Sequence, residues 1–186
     1  MSRARTWGII LVAFLASTQI LAVALADEGG RHRRRERHSH REHEHSRNEF
    51  GTIDNPLYRE QCGACHFAYP PGLLSAGSWS KILGQLENHN GAEVALDAQA
   101  EEAIGRYLEA NAADRLTSKR AGRITSSLRG QTPTRITEVP YILNEHKDLP
   151  PETFKRTSVV SFSNCIACHP GAEQGVFDDD SVRIPD

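Results

Sequence analysis

The chain has 186 residues, of which 38% are hydrophobic and only 6% aromatic, and its formal net charge is −2 at pH 7. From residue 51 onward, 13 Lys or Arg stand against 18 Asp or Glu, so the body of the chain is acidic. This charge argues against nucleic-acid binding. No stretch after Ala26 is long and apolar enough to cross a bilayer.

The N-terminus has the pattern of a cleavable secretory signal. Arg3 and Arg5 precede an apolar run centred on residues 9–15, and small residues lead up to Ala26. Polar residues at 17–19 interrupt the run, which argues against a transmembrane helix. We therefore expect residues 1–26 to be removed and the mature chain of 160 residues to be periplasmic, without a membrane span. Retention of the signal as an anchor is the alternative.

Residues 27–50 differ in composition from the rest of the chain. Residues 31–50 contain seven Arg, four Glu and five of the nine His, and Phe50 is their one large apolar residue. Such a segment cannot bury enough apolar surface to offset its ordering entropy, so we predict a disordered tail. Its histidines could form a weak metal-binding tract, but a solvated tail is the simpler interpretation. These histidines are His32, His38, His40, His43 and His45.

Two short motifs contain all four cysteines: Cys62-Gly63-Ala64-Cys65-His66 and Cys165-Ile166-Ala167-Cys168-His169. A Cys-x-x-Cys-His run is typical of c-type haem attachment, because the thiols form thioethers with the haem and the adjacent imidazole reaches the iron. On a helix, the cysteines and the histidine would share one face. We therefore predict two covalently bound haem c groups, with His66 and His169 as proximal iron ligands.

Other interpretations exist for four cysteines in an exported chain. They could form two disulfides, a redox-active dithiol or part of a zinc site. Both motifs end in histidine, however, and neither lies between a strand and a helix as in thioredoxin-like proteins. Repetition of the whole motif therefore favours haem attachment.

The first motif lies in a predicted module of three short helices, residues 51–113. The first helix begins at Pro56 and contains the motif, the second spans about residues 79–88, and the third ends near Ala112. Each follows a residue that can accept hydrogen bonds from the first turn. These predicted caps are Asn55, Ser78 and Asp97. Helical spacing of the apolar residues predicts a mostly α fold with little or no strand.

Residues 114–139 are predicted to form a linker or an irregular arm, because large apolar residues are scarce there. A second haem module is predicted at residues 140–186. It begins with a short helical turn after Pro140 that ends near His146, and an apolar run precedes the second motif. Val182 and Ile184, near the C-terminus, could pack along this module.

The distal iron ligands follow by elimination. Methionine is the distal ligand of many high-potential cytochromes c, but the one methionine, Met1, leaves with the signal. Outside the tail and the motifs, two histidines remain, His89 and His146. The sequence therefore predicts bis-histidine ligation of both irons. His89 lies 23 residues after His66 and His146 lies 23 before His169, which favours these local pairs, and the crossed pairing stays open.

From about residue 55 onward, the sequence resembles the bacterial dihaem cytochrome c family, in which both haems have two histidine ligands. In the first half, the resemblance rests on the first motif, Tyr69-Pro70-Pro71, Leu73-Leu74, Ser78-Trp79, Leu86 with His89, and Ile104 with Tyr107-Leu108. In the second half, it rests on Arg135-Ile136-Thr137, His146, Asn164 with the second motif, Gly175-Val176-Phe177-Asp178 and Val182-Arg183-Ile184-Pro185.

The resemblance implies an N-terminal module like class I cytochrome c and a less regular C-terminal one. It also implies an electron carrier, not an enzyme, that exchanges electrons with a small monohaem cytochrome, with a membrane cytochrome b as a candidate electron source. The chain departs from the family in its His/Arg-rich tail, in the long segment 114–134, and in Tyr141-Ile142, where a Trp-Phe pair is expected.

Imidazole in place of the usual thioether favours ferric iron, so we expect low reduction potentials.

Two rival functions remain open. One is the dihaem small subunit of a periplasmic reductase, which is also an electron carrier. The other is a haem enzyme or gas sensor with one open iron, which needs a vacant or releasable distal site.

Overall fold

The computed structural model describes residues 49–186, and within them the chain is helical with no β-strand. This confirms the predicted fold class. The five α-helices of this described part are α1 (Pro56–Cys62), α2 (Ala76–Leu83), α3 (Ala98–Ala110), α4 (Lys119–Leu128) and α5 (Pro140–Glu145). The 3-10 helices are Pro71–Leu73, Leu86–Asn88, Ile136–Glu138, Pro151–Lys155, Cys165–Ala167, Ala172–Gln174 and Asp179–Ser181.

Two of the three predicted helix caps are confirmed. The Asn55 side chain accepts a hydrogen bond from the Tyr58 N–H at 2.9 Å, and Pro56 is the first residue of α1. Asp97 caps α3 in the same way by accepting from the Ala100 N–H at 2.8 Å. Both side chains satisfy backbone donors that have no partner within the helix.

The prediction that Ser78 caps the second helix is wrong. The cap is Ser75, whose backbone is extended and whose hydroxyl accepts from the Ser78 N–H at 3.2 Å. Ser78 is instead buried in the first turn of α2. The helix also ends earlier than predicted, at Leu83, because Gly84 follows it and glycine is unfavourable in a helix interior.

The prediction of irregular structure at residues 114–139 is also wrong in part, because α4 lies there. Ser118 caps it, with its hydroxyl accepting from the Ala121 N–H at 3.2 Å. Ala121, Ile124 and Leu128 recur at helical spacing and are almost completely buried. A narrow stripe of one small and two larger apolar residues is therefore sufficient to dock this helix, even though most of the segment is polar.

One hydrophobic cluster connects the five helices. α2 packs on α3, and α4 packs on α5. Ile104 and Leu108 of α3 and Ile124 of α4 are buried in this cluster, and burying a side chain of this size stabilises the fold by roughly 1.5–3 kcal/mol. The indole N–H of Trp79 donates to the Pro71 carbonyl at 2.7 Å, so the polar atom of this buried ring has a partner.

The chain after α5 is built differently. Among residues 146–186 there is no α-helix, and Val159 and Ala172 are the only fully buried hydrophobic residues. The C-terminus folds back over this region, as expected: the Arg156 guanidinium donates to the Pro185 carbonyl at 2.6 Å, and the Arg183 N–H donates to the Cys168 carbonyl at 2.8 Å. The predicted boundaries of the two haem modules stay predictions.

No helix within residues 49–186 combines the length and apolar character needed to cross a membrane. The predicted signal, residues 1–26, and nearly all of the predicted tail lie outside the described residues.

Candidate functional site

The first Cys-x-x-Cys-His motif begins at the last residue of α1 and continues as a turn. Only Cys62 is helical, so the prediction that the whole motif shares one helix is wrong. Gly63 follows it, and its N–H donates to the Arg59 carbonyl at 3.0 Å. A side chain at residue 63 would place its Cβ in a steric clash with that carbonyl oxygen, so this close approach requires glycine.

The second motif is also a tight turn instead of a regular α-helix. It contains the 3-10 helix Cys165–Ala167, and the His169 N–H donates to the Cys165 carbonyl at 2.8 Å. The amide of Asn164 donates to the Val159 carbonyl at 2.9 Å, which ties the start of the motif to the preceding apolar run. Each motif thus brings its two thiols and its imidazole together within five residues.

None of the four cysteines forms a disulfide. Burial raises the pKa of Cys62 and of Cys165 to about 11 each, which keeps these thiols protonated at neutral pH. A redox-active dithiol uses the thiolate form, so this environment does not suit that alternative. Thiols held at a cofactor pocket are consistent with thioether attachment.

The structure brings His89 next to His66. Their ring centroids are 6.2 Å apart and the ring planes are inclined by 26°. His66 Nδ1 lies 2.7 Å from the Phe67 carbonyl, a contact that favours a proton on Nδ1 and leaves Nε2 as the free ligating atom. His89 lies at the start of a tight turn and exchanges two backbone hydrogen bonds with Ala92, of 2.7 and 3.1 Å.

The turn after His89 depends on two residues with positive φ. Asn90 has φ of 55° and Gly91 has φ of 93°, a combination that Asn-Gly pairs adopt readily. The chain therefore makes a tight turn at residues 89–92, beyond the end of α2 at Leu83. It orients the His89 ring toward the first motif from a largely exposed loop.

His146 lies next to His169 in the same manner. Their ring centroids are 6.0 Å apart, but their planes are inclined by 75°. His146 is the C-cap of α5, and its Nδ1 lies 2.8 Å from the Ile142 carbonyl. The ring centroid of Phe162 is 5.1 Å from that of His146, and that of Phe177 is 5.3 Å from that of His169. Aromatic rings therefore surround this pair.

Both separations fit a single metal ion between the two imidazoles. A metal–imidazole bond of about 2.0 Å on each side, extended by roughly 1.2 Å from each nitrogen to its ring centre, gives centroids about 6.4 Å apart. The observed separations are 6.2 Å and 6.0 Å. Desolvation by burial lowers the pKa of His89 and of His169, which favours the neutral imidazole that can ligate a metal.

A cavity of about 330 Å³ lies at the second pair. Its lining includes both imidazoles and both cysteines of the second motif. The buried Nδ1 atom of His169 has no hydrogen-bond partner in the described part of the chain, and an unpaired buried nitrogen is costly. A site of this size and lining fits a flat apolar cofactor that interacts with the imidazole.

Two residues of these sites were not predicted from the sequence. Arg120 of α4 lines the cavity, donates to the Phe177 carbonyl at 2.8 Å and pairs with Glu49 at 2.7 Å. Tyr69 lies near the first pair and donates to the carbonyl of Ser163, two residues before the second motif, and burial raises its pKa to about 12. The only available signals were the amphipathic pattern of α4 and the position of Tyr69 three residues after the first motif.

Among residues 49–186, no group of three or more His, Cys, Asp or Glu side chains is arranged to hold a metal ion. The predicted metal-binding tract of His32, His38, His40, His43 and His45 lies outside the described residues.

Comparisons with known proteins show the family to which the chain belongs. A sequence model of the family described as dihaem cytochrome c matches residues 58–177. The diheme cytochrome c from Rhodobacter sphaeroides has a similar solved structure, with 41% identity, a TM-score of 0.59, and coverage of 68% of this chain and 98% of that one. No curated protein matches the chain.

The diheme cytochrome type c from Shewanella baltica OS155 is similar in structure as well. It is 36% identical, with a TM-score of 0.58, over 70% of this chain and 93% of that one. The family match confirms the predicted cofactors, two covalently bound haem c groups with iron. The chain is therefore a c-type cytochrome, an electron carrier that belongs to the dihaem cytochrome c family.

Proposed function

We propose that this protein carries electrons in the periplasm through two low-spin, bis-histidine haem sites of low potential. His66 and His89 are the axial ligands of the first site, with Cys62 and Cys65 as its covalent anchors. His169 and His146 are the axial ligands of the second, with Cys165 and Cys168 as anchors. The observation that carries the proposal is the pair of imidazole separations, 6.2 and 6.0 Å.

Bound haem supplies one-electron chemistry by cycling its iron between the ferric and ferrous states. The residues of this chain set the conditions for that chemistry. The carbonyls of Phe67 and Ile142 orient His66 and His146 through their Nδ1 atoms, at 2.7 and 2.8 Å. Such contacts fix the ring and the tautomer and increase the basicity of the ligating nitrogen.

Two imidazoles at each site leave no position for a substrate. This arrangement supports a carrier and disfavours a haem enzyme or gas sensor, because those functions need an open or releasable position. Strong ligands on both sides also keep the coordination unchanged between oxidation states, so little rearrangement accompanies electron transfer. Imidazole stabilises ferric iron relative to a thioether ligand, which supports low potentials.

The partner is proposed from charge and from the family resemblance. Residues 51–186 carry five more acidic than basic side chains, so a partner with basic residues around its redox centre is electrostatically favoured. A small monohaem cytochrome is such a partner, and a membrane cytochrome b is a candidate electron source. The export pattern of residues 1–26 supports the periplasmic location.

The test uses alanine variants of the holoprotein. His89→Ala and His146→Ala should each convert one of the two haems to high spin and allow the reduced form to bind carbon monoxide. His45→Ala, in the N-terminal tail, is the control and should leave both haems low-spin. Absorption spectra with and without the gas provide the measurement. If both variants remain low-spin and unresponsive, the distal assignments are wrong; a wild-type protein that binds the gas would favour the enzyme or sensor.

A further inference from the structure

Tyr69 is a side chain that spans the two haem sites. Its ring centroid is 5.0 Å from that of His66, with the planes inclined by 39°. Its hydroxyl donates to the Ser163 carbonyl at 2.8 Å, which is an ordinary length for a hydrogen bond of this type. Ser163 is 94 residues further along the chain and lies two residues before Cys165.

The Ser163 carbonyl is a point where several contacts of the second motif meet. It accepts the Cys165 N–H at 3.0 Å, and the Cys165 sulfur lies 3.6 Å from it. The Tyr69 hydroxyl and the backbone N–H of Cys165 therefore donate hydrogen bonds to the same carbonyl oxygen. Cys165 is the first covalent anchor of the proposed second site. A continuous series of contacts runs from the His66 ring through the Tyr69 ring to Cys165.

Tyr69 is held rigidly in this position. The hydroxyl of Tyr58, a buried residue of α1, donates to the Tyr69 carbonyl at 2.8 Å. The ring of Phe67 packs against the Tyr69 ring with centroids 4.4 Å apart. Pro70 follows and restricts the backbone at Tyr69. The phenol is thus fixed from the first module, while its hydroxyl reaches the second motif.

We propose that Tyr69 is the inter-haem connection through which one electron passes from the reduced site to the oxidised site. This inference rests on the proposed ligation by His66 and attachment at Cys165. Electron tunnelling decays less steeply through bonds and hydrogen bonds than across an open gap, so the ring and its hydrogen bond strengthen the electronic coupling. One site is oxidised as the other is reduced, and Tyr69 keeps its proton and is not itself oxidised.

The Tyr69 hydrogen bond also contributes to the stability of the holoprotein. Removing the Tyr69 hydroxyl takes away one hydrogen bond, worth roughly 2- to 10-fold in a conformational equilibrium. A purely structural role would change the stability of the holoprotein without changing the rate of electron exchange between the sites. The rate is therefore the readout that separates coupling from packing.

The test compares Tyr69→Phe with Tyr107→Phe in the holoprotein. Tyr107 is the matched control because its hydroxyl also donates to a backbone carbonyl, that of Thr52 at 3.1 Å, while its ring packs on Tyr58 instead of on an axial histidine. Fully oxidised protein is reduced by a fast pulse at less than one electron per molecule. Equilibration between the haems is then followed by rapid freezing and paramagnetic resonance. Midpoint potentials and melting temperatures are measured for each variant.

Tyr69→Phe should slow equilibration several-fold with both haems still low-spin and both potentials unchanged, and Tyr69→Leu, which also removes the ring, should slow it further. Tyr107→Phe should equilibrate at the wild-type rate. An unchanged rate in Tyr69→Phe, or equal slowing in the control, would overturn the inference. Failure of the proposed ligation is distinguishable, because it would appear as high-spin or gas-binding haem in the wild-type protein before any rate is measured.

Discussion

The two histidine pairs have similar separations but different surroundings. The first pair lies beside a helical core: α1 ends at the first residue of the first motif, and α2 and α3 pack against each other close by in sequence. The second pair lies in a cavity lined by aromatic residues and 3-10 turns, with no α-helix after His146 in the described chain. We infer from this difference that protein packing maintains the first site, whereas the haem itself must serve as the core of the second.

Burial supports this difference. The main hydrophobic cluster draws all of its buried members from residues 50–141, whereas among residues 146–186 only Val159 and Ala172 are fully buried hydrophobics. A segment of this length cannot offset its ordering entropy with so little buried surface. Binding of the cofactor then supplies folding free energy to residues 146–186, which we call the second region, as metals do in small metal-dependent domains.

The largest effect is expected from removing the covalent anchors. In the double variant Cys165→Ala/Cys168→Ala, residues 147–186 should lose protection from hydrogen–deuterium exchange because the second site loses its core. In the matched variant Cys62→Ala/Cys65→Ala, α3 and α4 should remain protected, since their buried stripes pack within the helical cluster. Retained protection of residues 147–186 in the first variant would show that the second region does not depend on its haem.

A smaller effect is expected at Arg120, which lines the second cavity from α4. Its positive charge disfavours ferric iron, so Arg120→Gln should lower the potential of the second haem. Loss of one partly screened charge is worth roughly 1 kcal/mol, or about 40 mV for a one-electron couple. A redox titration measures the shift. Arg106→Gln, an exposed residue paired with Glu102, is the control and should leave both potentials unchanged; a rise in potential for Arg120→Gln would contradict the account.

The next effect concerns the cap of α4. The Ser118 hydroxyl accepts from the Ala121 N–H and donates to the Glu49 carbonyl. Ser118→Ala should therefore destabilise the holoprotein by about 1 kcal/mol, as measured by its denaturant midpoint. Ser126→Ala, on the exposed face of the same helix, should change stability by much less. Equal effects of the two substitutions would argue that α4 is not held by its cap.

The smallest expected effect is a gain in the free energy of unfolding when Val160, in the second region, is replaced by glycine. Val160 is 72% exposed and has φ of 73°, a conformation that a β-branched residue adopts only with strain. Val160→Gly should raise the free energy of unfolding by about 0.5–1 kcal/mol, because glycine adopts positive φ without this strain. Val160→Ala, which keeps a Cβ, is the comparison and should gain less. A destabilised Val160→Gly would mean that the exposed side chain makes a stabilising contact.

Local signals in the sequence were sufficient to predict much of this fold. The caps Asn55 and Asp97 act on neighbouring residues, and haem attachment needs only the five residues of each motif, so both kinds of feature are visible in a short window. The sequence does not distinguish Ser75 from Ser78 as the N-cap of α2, because both side chains can accept the capping hydrogen bond. The choice depends on which of the two residues has an extended backbone, and that residue is Ser75.

Long-range contacts could not be predicted in this way. α4 was missed because its buried stripe includes Ala121, which contributes little hydrophobic signal. The contacts of Arg120 with Phe177 and of Tyr69 with Ser163 join residues that are 57 and 94 positions apart. Such contacts depend on the tertiary fold, which no local pattern encodes.

The most direct test of the central claim is the paramagnetic resonance spectrum of the fully oxidised holoprotein. When two axial imidazole planes are nearly parallel, they lift the degeneracy of the iron d orbitals and give a rhombic low-spin signal; nearly perpendicular planes preserve it and give a strongly anisotropic one. The ring inclinations of 26° and 75° therefore predict one signal of each kind in equal amounts, with no high-spin iron. A high-spin signal from either haem would contradict two closed bis-histidine sites, and two identical rhombic signals would contradict the difference between them.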